Sequence, residues 1–300
     1  MKILITGSSG LIGSYLFERL REKHEVFGLD LRQSPHTTIT GDIRDYGLVE
    51  KVMGGVDAVI HCAAQVSVVK SIEDPLFDAE NNVIGTLNLL EAARKSRRLK
   101  RFIYVSSAGV YGIPVYVPMD EDHPCRPISP YGVSKLAGEL YAGVYHKLYG
   151  VPTVCIRPFN VYGENQDPDS PYSGVISKFL DRISRGLPLT IYGDGEQTRD
   201  FIHVHDVAEM ISLAMECEEA TGETFNCGTG REVSINELAK VMLSLSGGDL
   251  EVKHFDERPG DIRRSCADIR KSEKVLGFKP KISLEEGLKE LLNNRALIEK

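Results

Sequence analysis

The sequence predicts an α/β fold, with a doubly wound parallel sheet and a smaller lobe at its C-terminal end. Three observations predict it: an apolar run at the N-terminus leads directly into glycines, apolar strands then alternate with amphipathic helices, and turn-rich segments replace this alternation after about residue 160. Strands separated by helices pair in parallel through right-handed crossovers. We expect a sheet domain over residues 1–160 and the smaller lobe over 161–300, with segments at about 200–230 returning to the main sheet.

The first predicted strand, Lys2–Thr6, is followed by glycines at every third position: Gly7, Gly10 and Gly13. Apolar residues then recur at helical spacing from Leu11 to Leu20. This order suits a pyrophosphate, because glycine lets the backbone approach phosphates closely and a helix start supplies free N–H donors. The next predicted strand, Glu25–Leu29, ends at Asp30, whose carboxylate can accept hydrogen bonds from both hydroxyls of an adenosine ribose and would repel a 2′-phosphate. The segment therefore predicts binding of NAD rather than NADP.

The later elements of the sheet domain continue the alternation. After the segment GDIRD at Gly41–Asp45 we predict a helix to about Met53, a strand Ala58–His61, a helix from about Asp74 to Lys95, a strand Arg101–Ser106, a helix Pro130–Tyr149 and a strand Thr153–Arg157. A helix Val207–Met215 and a strand Glu223–Asn226 are expected to return to the main sheet. Ligands of such folds bind beyond the carboxyl ends of the strands. His61 lies at such an end, where we expect a structural hydrogen-bond partner rather than a catalytic base.

The composition argues against several classes of partner. The 300 residues carry 36 Lys and Arg against 43 Asp and Glu, and this acidic balance disfavours nucleic acid as a partner. The sequence shows no signal-peptide core and no apolar run of about 18 residues, so we expect no membrane partner. The six cysteines lack the paired spacing of a zinc site or a disulfide framework, which favours a protein without a metal in a reduced, cytoplasmic compartment.

A reactive group of side chains is predicted around the start of the helix at Pro130. Tyr131 and Lys135 are four residues apart and therefore share one helix face, where an ammonium group can favour ionisation of the phenol. The strand-ending pair Ser106 and Ser107 supplies hydroxyls that can hydrogen-bond a reacting oxygen. Three such groups beside a dinucleotide indicate hydride transfer at a carbinol carbon. The alternative is an ordinary Tyr–Lys pair on the protein surface.

Nearly the whole chain resembles the extended short-chain dehydrogenases/reductases, and among them the UDP-sugar 4-epimerases. The resemblance rests on GSSGLIG at Gly7–Gly13, GDIRD, HCAA from His61, NNVIGTLNLLEAA from Asn81, SSAGVYG from Ser106, PYGVSK from Pro130, RPFNVYG from Arg157, TRDFIHV from Thr198 and RPGD from Arg258. It implies a Rossmann sheet, tightly bound NAD and a substrate-binding C-terminal lobe. It also implies a homodimer that packs through the two long helices of the sheet domain.

The resemblance assigns functional residues position by position. It implies catalytic roles for Ser107, Tyr131 and Lys135. The residues that it places around NAD are Gly7, Gly10, Leu11, Ile12, Gly13, Asp30, Asp42, Ile43, Ala63, Ala64 and Asn82, with Tyr131 and Lys135. The residues that it places around a UDP-sugar are Ser107, Asn160, Tyr192, Arg199, Arg258, Asp261 and Ser265. The arginines suit phosphate oxygens, because guanidinium groups bind them in a forked geometry.

Three further positions bear on the reaction and on the substrate. Dehydratases and decarboxylases of this family carry acidic residues where this chain has Ala108 and Gly109, so the resemblance favours 4-epimerisation. Hexose-specific epimerases carry a bulky tyrosine where this chain has Ser265, so we expect room for UDP-GlcNAc and UDP-GalNAc beside UDP-glucose and UDP-galactose. The alternatives are an epimerase of UDP-uronic acids, a keto-sugar reductase of the same family, or a nucleotide sensor without turnover.

Overall fold

A computed structural model describes residues 1–164, 174–257 and 260–298, with side chains to residue 294. The elements of the sheet domain are β1 (Lys2–Thr6), α1 (Leu11–Leu20), β2 (Glu25–Asp30), β3 (Ile39–Thr40), α2 (Tyr46–Met53), β4 (Ala58–His61), α3 (Val68–Glu73), α4 (Pro75–Ala79), a π-helical turn (Glu80–Ile84), α5 (Gly85–Lys95), β5 (Arg101–Val105), a 3₁₀ turn (Ala108–Val110), α6 (Pro130–Tyr149) and β6 (Thr153–Pro158). The chain continues with β7 (Asn160–Tyr162), α7 (Val175–Ser184), β8 (Leu189–Tyr192), β9 (Thr198–Arg199), β10 (Phe201–His203), α8 (Val204–Glu216), a 3₁₀ turn (Glu218–Ala220), β11 (Thr224–Cys227), β12 (Val233–Ser234), α9 (Ile235–Ser246), β13 (Val252–Phe255), α10 (Arg270–Leu276) and α11 (Leu284–Ile298).

The main sheet has the strand order β11-β6-β5-β4-β1-β2-β3. Each neighbouring pair of these strands is parallel, which confirms the predicted doubly wound α/β fold. The strand β11 pairs in parallel with β6, so Thr224–Cys227 forms one edge of the main sheet. The domain boundary near residue 160 stays a prediction.

Both faces of the sheet are buried, and alternate strand residues enter different cores. Ile3 and Ile5 pack in the core beneath α1 and α8, whereas Leu4 packs in the core beneath α2, α5 and α6. The same alternation continues in β4 and β5. Because both faces of the sheet are buried, the sequences of these strands are nearly continuous apolar runs, as is typical of parallel sheets.

The helix α6 has the bounds that the sequence predicts. Ser129 caps its start by accepting a hydrogen bond from the backbone N–H of Gly132, and Pro130 occupies the first helical position. Gly150 ends the helix with a φ of 69°, a conformation that favours glycine. These local signals fix the helix that carries Tyr131 and Lys135.

The helix predicted from about Asp74 to Lys95 is continuous in the structure. Asp74 caps its start, and a π-helical turn over Glu80–Ile84 joins α4 to α5. The additional short helix α3 precedes them. A π turn adds a residue to the helical repeat, which changes the side of the helix that later residues face. No periodicity in the sequence indicated this turn, which contains both Asn81 and Asn82.

A separate cluster of buried residues lies in the C-terminal half of the chain. Buried apolar side chains from α7, α9 and α11 pack with those of β8 and β10. The strands β8 and β13 pair in parallel beside this core. Within the described ranges, none of the helices combines the length and apolar character needed to cross a bilayer.

Candidate active site

A cavity of about 800 Å³ opens beyond the carboxyl ends of the main strands, where ligands of doubly wound folds bind. Most residues that the sequence analysis selected line this one cavity. They are Gly7, Gly10, Leu11, Ile12, Gly13, Asp30, Asp42, Ile43, Ala63, Ala64, Ser107, Tyr131, Lys135, Asn160, Arg199 and Ser265. These predicted cofactor residues and the predicted reactive residues therefore line the same cavity.

The glycine loop leaves room only for backbone. Gly7 has a φ of 70°, and a Cβ atom at this position would lie 2.6 Å from the backbone nitrogen of Ala63. A Cβ atom at Gly13 would lie 2.1 Å from the carbonyl oxygen of Gly7. The helix α1 begins after Gly10 without a side-chain cap and without an acidic residue in its first turn, so its free N–H groups suit a phosphate.

Two aspartates lie at the end of the cavity that the glycine loop forms. Asp30 accepts hydrogen bonds from the backbone N–H groups of Ser9 and Arg32, each at 2.9 Å, and these bonds fix its carboxylate at the end of β2. A carboxylate can accept further bonds from ribose hydroxyls. Asp42 lies 2.7 Å from a guanidinium nitrogen of Arg44, and this hydrogen bond lowers the pKa of Asp42.

The structure places Asn81, and not Asn82, on the cavity wall. The buried amide nitrogen of Asn82 donates to the carbonyl oxygen of Gln65 at 2.9 Å and to Ser134, while its oxygen accepts from the backbone N–H of Gln65 at 2.7 Å. These bonds engage the side chain of Asn82 within the protein, whereas its neighbour Asn81 lines the cavity. The cofactor contact expected of Asn82 stays a prediction.

The hydroxyls of Ser107 and Tyr131 meet at the cavity. Ser107 caps the 3₁₀ turn, and its Oγ accepts a hydrogen bond from the backbone N–H of Gly109 at 3.1 Å. Burial raises the pKa of Tyr131, and a hydrogen bond with Ser107 opposes this shift in part. The charge of the buried Asp78 raises the pKa of Tyr131 further. The surrounding protein therefore favours a neutral phenol.

The ammonium group of Lys135 contacts two residues of β5, Val105 and Tyr104. Its Nζ donates to the carbonyl oxygen of Val105 at 2.5 Å and lies 4.5 Å from the ring centroid of Tyr104. Burial lowers the pKa of Lys135 to about 8. The ammonium group nevertheless lines the cavity, where its charge can act on a bound ligand.

His61 has the structural role that the sequence analysis favoured. Its two ring nitrogens lie 2.7 Å from Oγ1 of Thr6 and 2.9 Å from Oγ1 of Thr86. Burial lowers the pKa of His61 to about 3, so the ring is neutral at pH 7. A neutral ring with both nitrogens engaged links β1 and β4 to α5.

The expected substrate residues divide between two neighbouring cavities. Asn160, Arg199 and Ser265 line the first. Tyr192 and Asp261 line a second cavity of about 430 Å³, and Ile262 lines both. A salt bridge between Arg199 and Asp261 joins the two walls. Arg258 lies outside the described residues.

Comparison with known proteins identifies the family. Residues 3–228 match the NAD dependent epimerase/dehydratase family. The chain belongs to this family. A relative from Methanocaldococcus jannaschii, named as a putative UDP-glucose 4-epimerase, is 42% identical over 97% of each chain.

Two solved structures resemble this epimerase/dehydratase family member over nearly their full lengths. One is the UDP-glucose 4-epimerase of Thermotoga maritima with UDP-glucose, at 37% identity and a TM-score of 0.95, covering 100% of both chains. The other is the UDP-N-acetylglucosamine 4-epimerase of Methanobrevibacter ruminantium in complex with UDP-N-acetylmuramic acid. It shares 35% identity and a TM-score of 0.94, covering 99% of this chain and 98% of the other.

Proposed function

We propose that this protein is an NAD-dependent 4-epimerase of UDP-hexoses, which interconverts UDP-glucose and UDP-galactose through a transient 4-keto sugar. The observation that carries the proposal is the meeting of Ser107, Tyr131 and Lys135 on the wall of a dinucleotide-type cavity. The family match and the two similar epimerase structures support the same reaction.

The residues of the cavity fit NAD. The backbone and the helix start at Gly7–Gly13 suit the pyrophosphate, and Asp30 suits the adenosine ribose. Lys135, Ala63 and Ala64 line the same cavity as the hydroxyls of Ser107 and Tyr131. Bound NAD would supply the hydride acceptor and donor for the sugar C4 carbon, and its net consumption would be zero.

Tyr131 moves the proton in this reaction. Its phenolate oxygen takes the proton of the sugar 4-hydroxyl in one half of the reaction and returns it in the other. Ser107 hydrogen-bonds the reacting oxygen and holds it beside the phenol. Because burial raises the pKa of Tyr131, a positive charge in the cavity is needed to favour the phenolate, and Lys135 supplies one.

The 3₁₀ turn beside Tyr131 favours epimerisation over dehydration. A Cβ atom at Gly109 would lie 3.5 Å from Cε1 of Tyr131, so a side chain at this position would reach the reacting part of the sugar. Ala108 and Gly109 offer no acid or base there. The site is therefore suited to oxidising and reducing one carbon without moving a proton at its neighbour.

Ser265 and Arg199 support the proposed substrate. Ser265 lines the main cavity with a small side chain, which leaves room for an acetamido group on the sugar. We therefore extend the proposal to UDP-GlcNAc and UDP-GalNAc. Arg199 lies at the junction of the two cavities, where a guanidinium group suits the diphosphate. Asn160, Tyr192 and Asp261 complete the proposed nucleotide pocket.

We also propose a cytoplasmic homodimer that packs through the helices α3 to α6. An apolar row of α6 is exposed at helical spacing, with Val133, Leu140, Val144 and Leu148 at 46–69% exposure. Val68, Val69, Ile72, Leu76 and Ile84 are also exposed on the helical segments that pack against α6. A second copy is a suitable cover for an apolar surface of this kind. Analytical ultracentrifugation of the wild type and of Leu140→Glu tests it, and a monomeric wild type would contradict it.

The purified protein should first be incubated with UDP-galactose, and separately with UDP-GalNAc, without added NAD. Chromatography that resolves the 4-epimers should show conversion of both sugars. Tyr131→Phe should lose ~10²–10⁴-fold in rate while it keeps its fold and its bound NAD. Conversion of a UDP-uronic acid alone would favour the family's uronic acid epimerases instead. Stoichiometric consumption of free NAD would contradict the proposed mechanism.

A further inference from the structure

The ammonium group of Lys135 contacts two groups, the carbonyl oxygen of Val105 and the aromatic ring of Tyr104. Its Nζ is 2.5 Å from the carbonyl oxygen and 4.5 Å from the ring centroid. Both side chains are buried, with 4% exposure for Lys135 and 0% for Tyr104. Away from water, an aromatic face and a carbonyl dipole both favour the charged form of an amine.

The helix that carries Lys135 also fixes this ring. The hydroxyl of Tyr104 donates to the backbone carbonyl oxygen of Lys135 at 3.3 Å. A Cβ atom at Gly138 would lie 2.1 Å from the same hydroxyl, so α6 can pack against Tyr104 only because residue 138 is glycine. Burial raises the pKa of Tyr104, so the hydroxyl stays protonated and its ring stays neutral beneath the ammonium.

We propose that Tyr104 is a positioning residue for the epimerase reaction: its ring holds the ammonium group of Lys135 charged and in place beside Tyr131. This inference rests on the proposed function, in which the charge of Lys135 supports the phenolate. The alternative is that Tyr104 merely fills the core. Phe102 is a buried residue that fills the core in this way. It lies on the same strand and in the same core cluster as Tyr104, and it is also 0% exposed. Its ring lies 6.4 Å from the ring of His61.

The two readings differ in how the activity depends on pH. The titratable groups that act on Lys135 are His61, Cys62, Tyr104, Asp78, Glu139 and Cys155, and Tyr131 lies about one turn before Lys135 on α6. Burial lowers the pKa of Lys135 to about 8, while the charges of Glu139 and Asp78 act to raise it. Removing the ring removes a contact that favours the cation, so the pKa of Lys135 should fall further. The ammonium would then lose its charge at a lower pH.

The test compares three variants through the dependence of kcat on pH, between about pH 6 and 10, with UDP-galactose as substrate. Tyr104→Phe keeps the ring and should keep the alkaline limb of the wild type. Tyr104→Leu should move this limb to lower pH by ~1 unit. Phe102→Leu removes a buried ring from the same core and should leave the limb in place. Tyr104→Met, which preserves more volume, replaces Tyr104→Leu if the latter does not fold.

An NMR titration of the lysine ε-carbons reports the same shift without using activity, with the Lys135 signal assigned by its loss in Lys135→Met. A lowered pKa of Lys135 in Tyr104→Leu but not in Phe102→Leu supports the positioning role. The same result in a protein that epimerises no sugar would contradict the proposed function alone. An active wild type whose two leucine variants titrate alike would overturn the positioning role alone.

Discussion

Gly109 lies against the ring of Tyr131, and a Cβ atom at position 109 would be 3.5 Å from Cε1 of the tyrosine and 3.3 Å from Oγ of Ser107. A side chain at position 109 would therefore act directly on the phenol. The absence of an acid at this position has an electrostatic consequence as well as a mechanistic one. Burial already raises the pKa of Tyr131, and a nearby carboxylate would raise it further.

Gly109→Asp should slow epimerisation by disfavouring the phenolate of Tyr131. A carboxylate beside the phenol should raise its pKa by ~1 unit, so the acid limb of the kcat profile should move to higher pH and the rate on that limb should fall ~10-fold. Gly109→Asn has nearly the same shape without the charge. If both variants lost activity equally and without a pH shift, crowding of Ser107 would be the cause.

Asp30→Ser should weaken the preference for NAD over NADP. The carboxylate of Asp30 lies in the cavity, and Nε of Arg32 lies 3.9 Å from it on the protein surface. Without the carboxylate, Arg32 becomes available to a 2′-phosphate, while NAD loses a charged hydrogen-bond acceptor that corresponds to ~10-fold in affinity or more. The bound nucleotide is released by denaturing the protein and is identified by chromatography as NAD or NADP. The measurement is made on the protein as expressed and again after exchange with an equal mixture of the two cofactors.

The double variant with Arg32→Gln is the control for this change. It should lose the gain in NADP binding and retain the loss in NAD binding. An unchanged preference for NAD in Asp30→Ser would contradict the role of Asp30 in reading the ribose.

The parts of the molecule that depend on local chemistry could be predicted from the sequence. The bounds of β1 and β4 follow from apolar runs, and the bounds of α6 follow from Ser129, Pro130 and Gly150. Each of these signals lies within or directly beside the element that it bounds. The glycine loop and Asp30 were predictable for the same reason, because backbone clearance and a strand end are local properties.

The parts that depend on contacts between distant segments could not be predicted. Asn81 lines the cavity, while Asn82 is held by bonds to Gln65 and Ser134, far away in the sequence. The contact of Lys135 with Tyr104 depends on how α6 lies over β5, which helical spacing does not encode. A glycine at position 138, one turn beyond Lys135 on the predicted helix, was the available signal for a close approach to the sheet.

Ser265→Tyr should separate acetylated from plain sugars. Ser265 lines the main cavity and is 8% exposed, so a phenol ring at this position must enter the cavity. We expect kcat/KM for UDP-GalNAc to fall more than ~10-fold, while that for UDP-galactose changes little, because only the former has to place an acetamido group. Ser265→Ala should leave the ratio of the two substrates unchanged. Equal losses of kcat/KM for both substrates in Ser265→Tyr would mean that another residue decides whether the acetamido group is accepted.

His61 should make the fold sensitive to mild acid. Its pKa is about 3 in the folded protein because burial disfavours the charged ring, while an unfolded histidine titrates near its ordinary value of ~6.5. The unfolded state therefore binds more protons between these two values. The contribution of His61 to stability is fully present above about pH 6.5 and is lost progressively as the pH falls towards about 3.

His61→Gln should remove this part of the pH dependence, because a glutamine can bond Thr6 and Thr86 but does not titrate. Urea unfolding at about pH 7.5 and about pH 5, at one fixed protein concentration, measures the free energy of unfolding of each protein. The wild type should lose ~2 kcal/mol more than the variant between the two conditions, since 1.5 pH units below the unfolded pKa correspond to about that amount. The variant should be the less stable protein at the higher pH, because glutamine fills the site less well than imidazole. An equal loss in both proteins would mean that folding does not lower the pKa of His61, as for a histidine exposed to solvent.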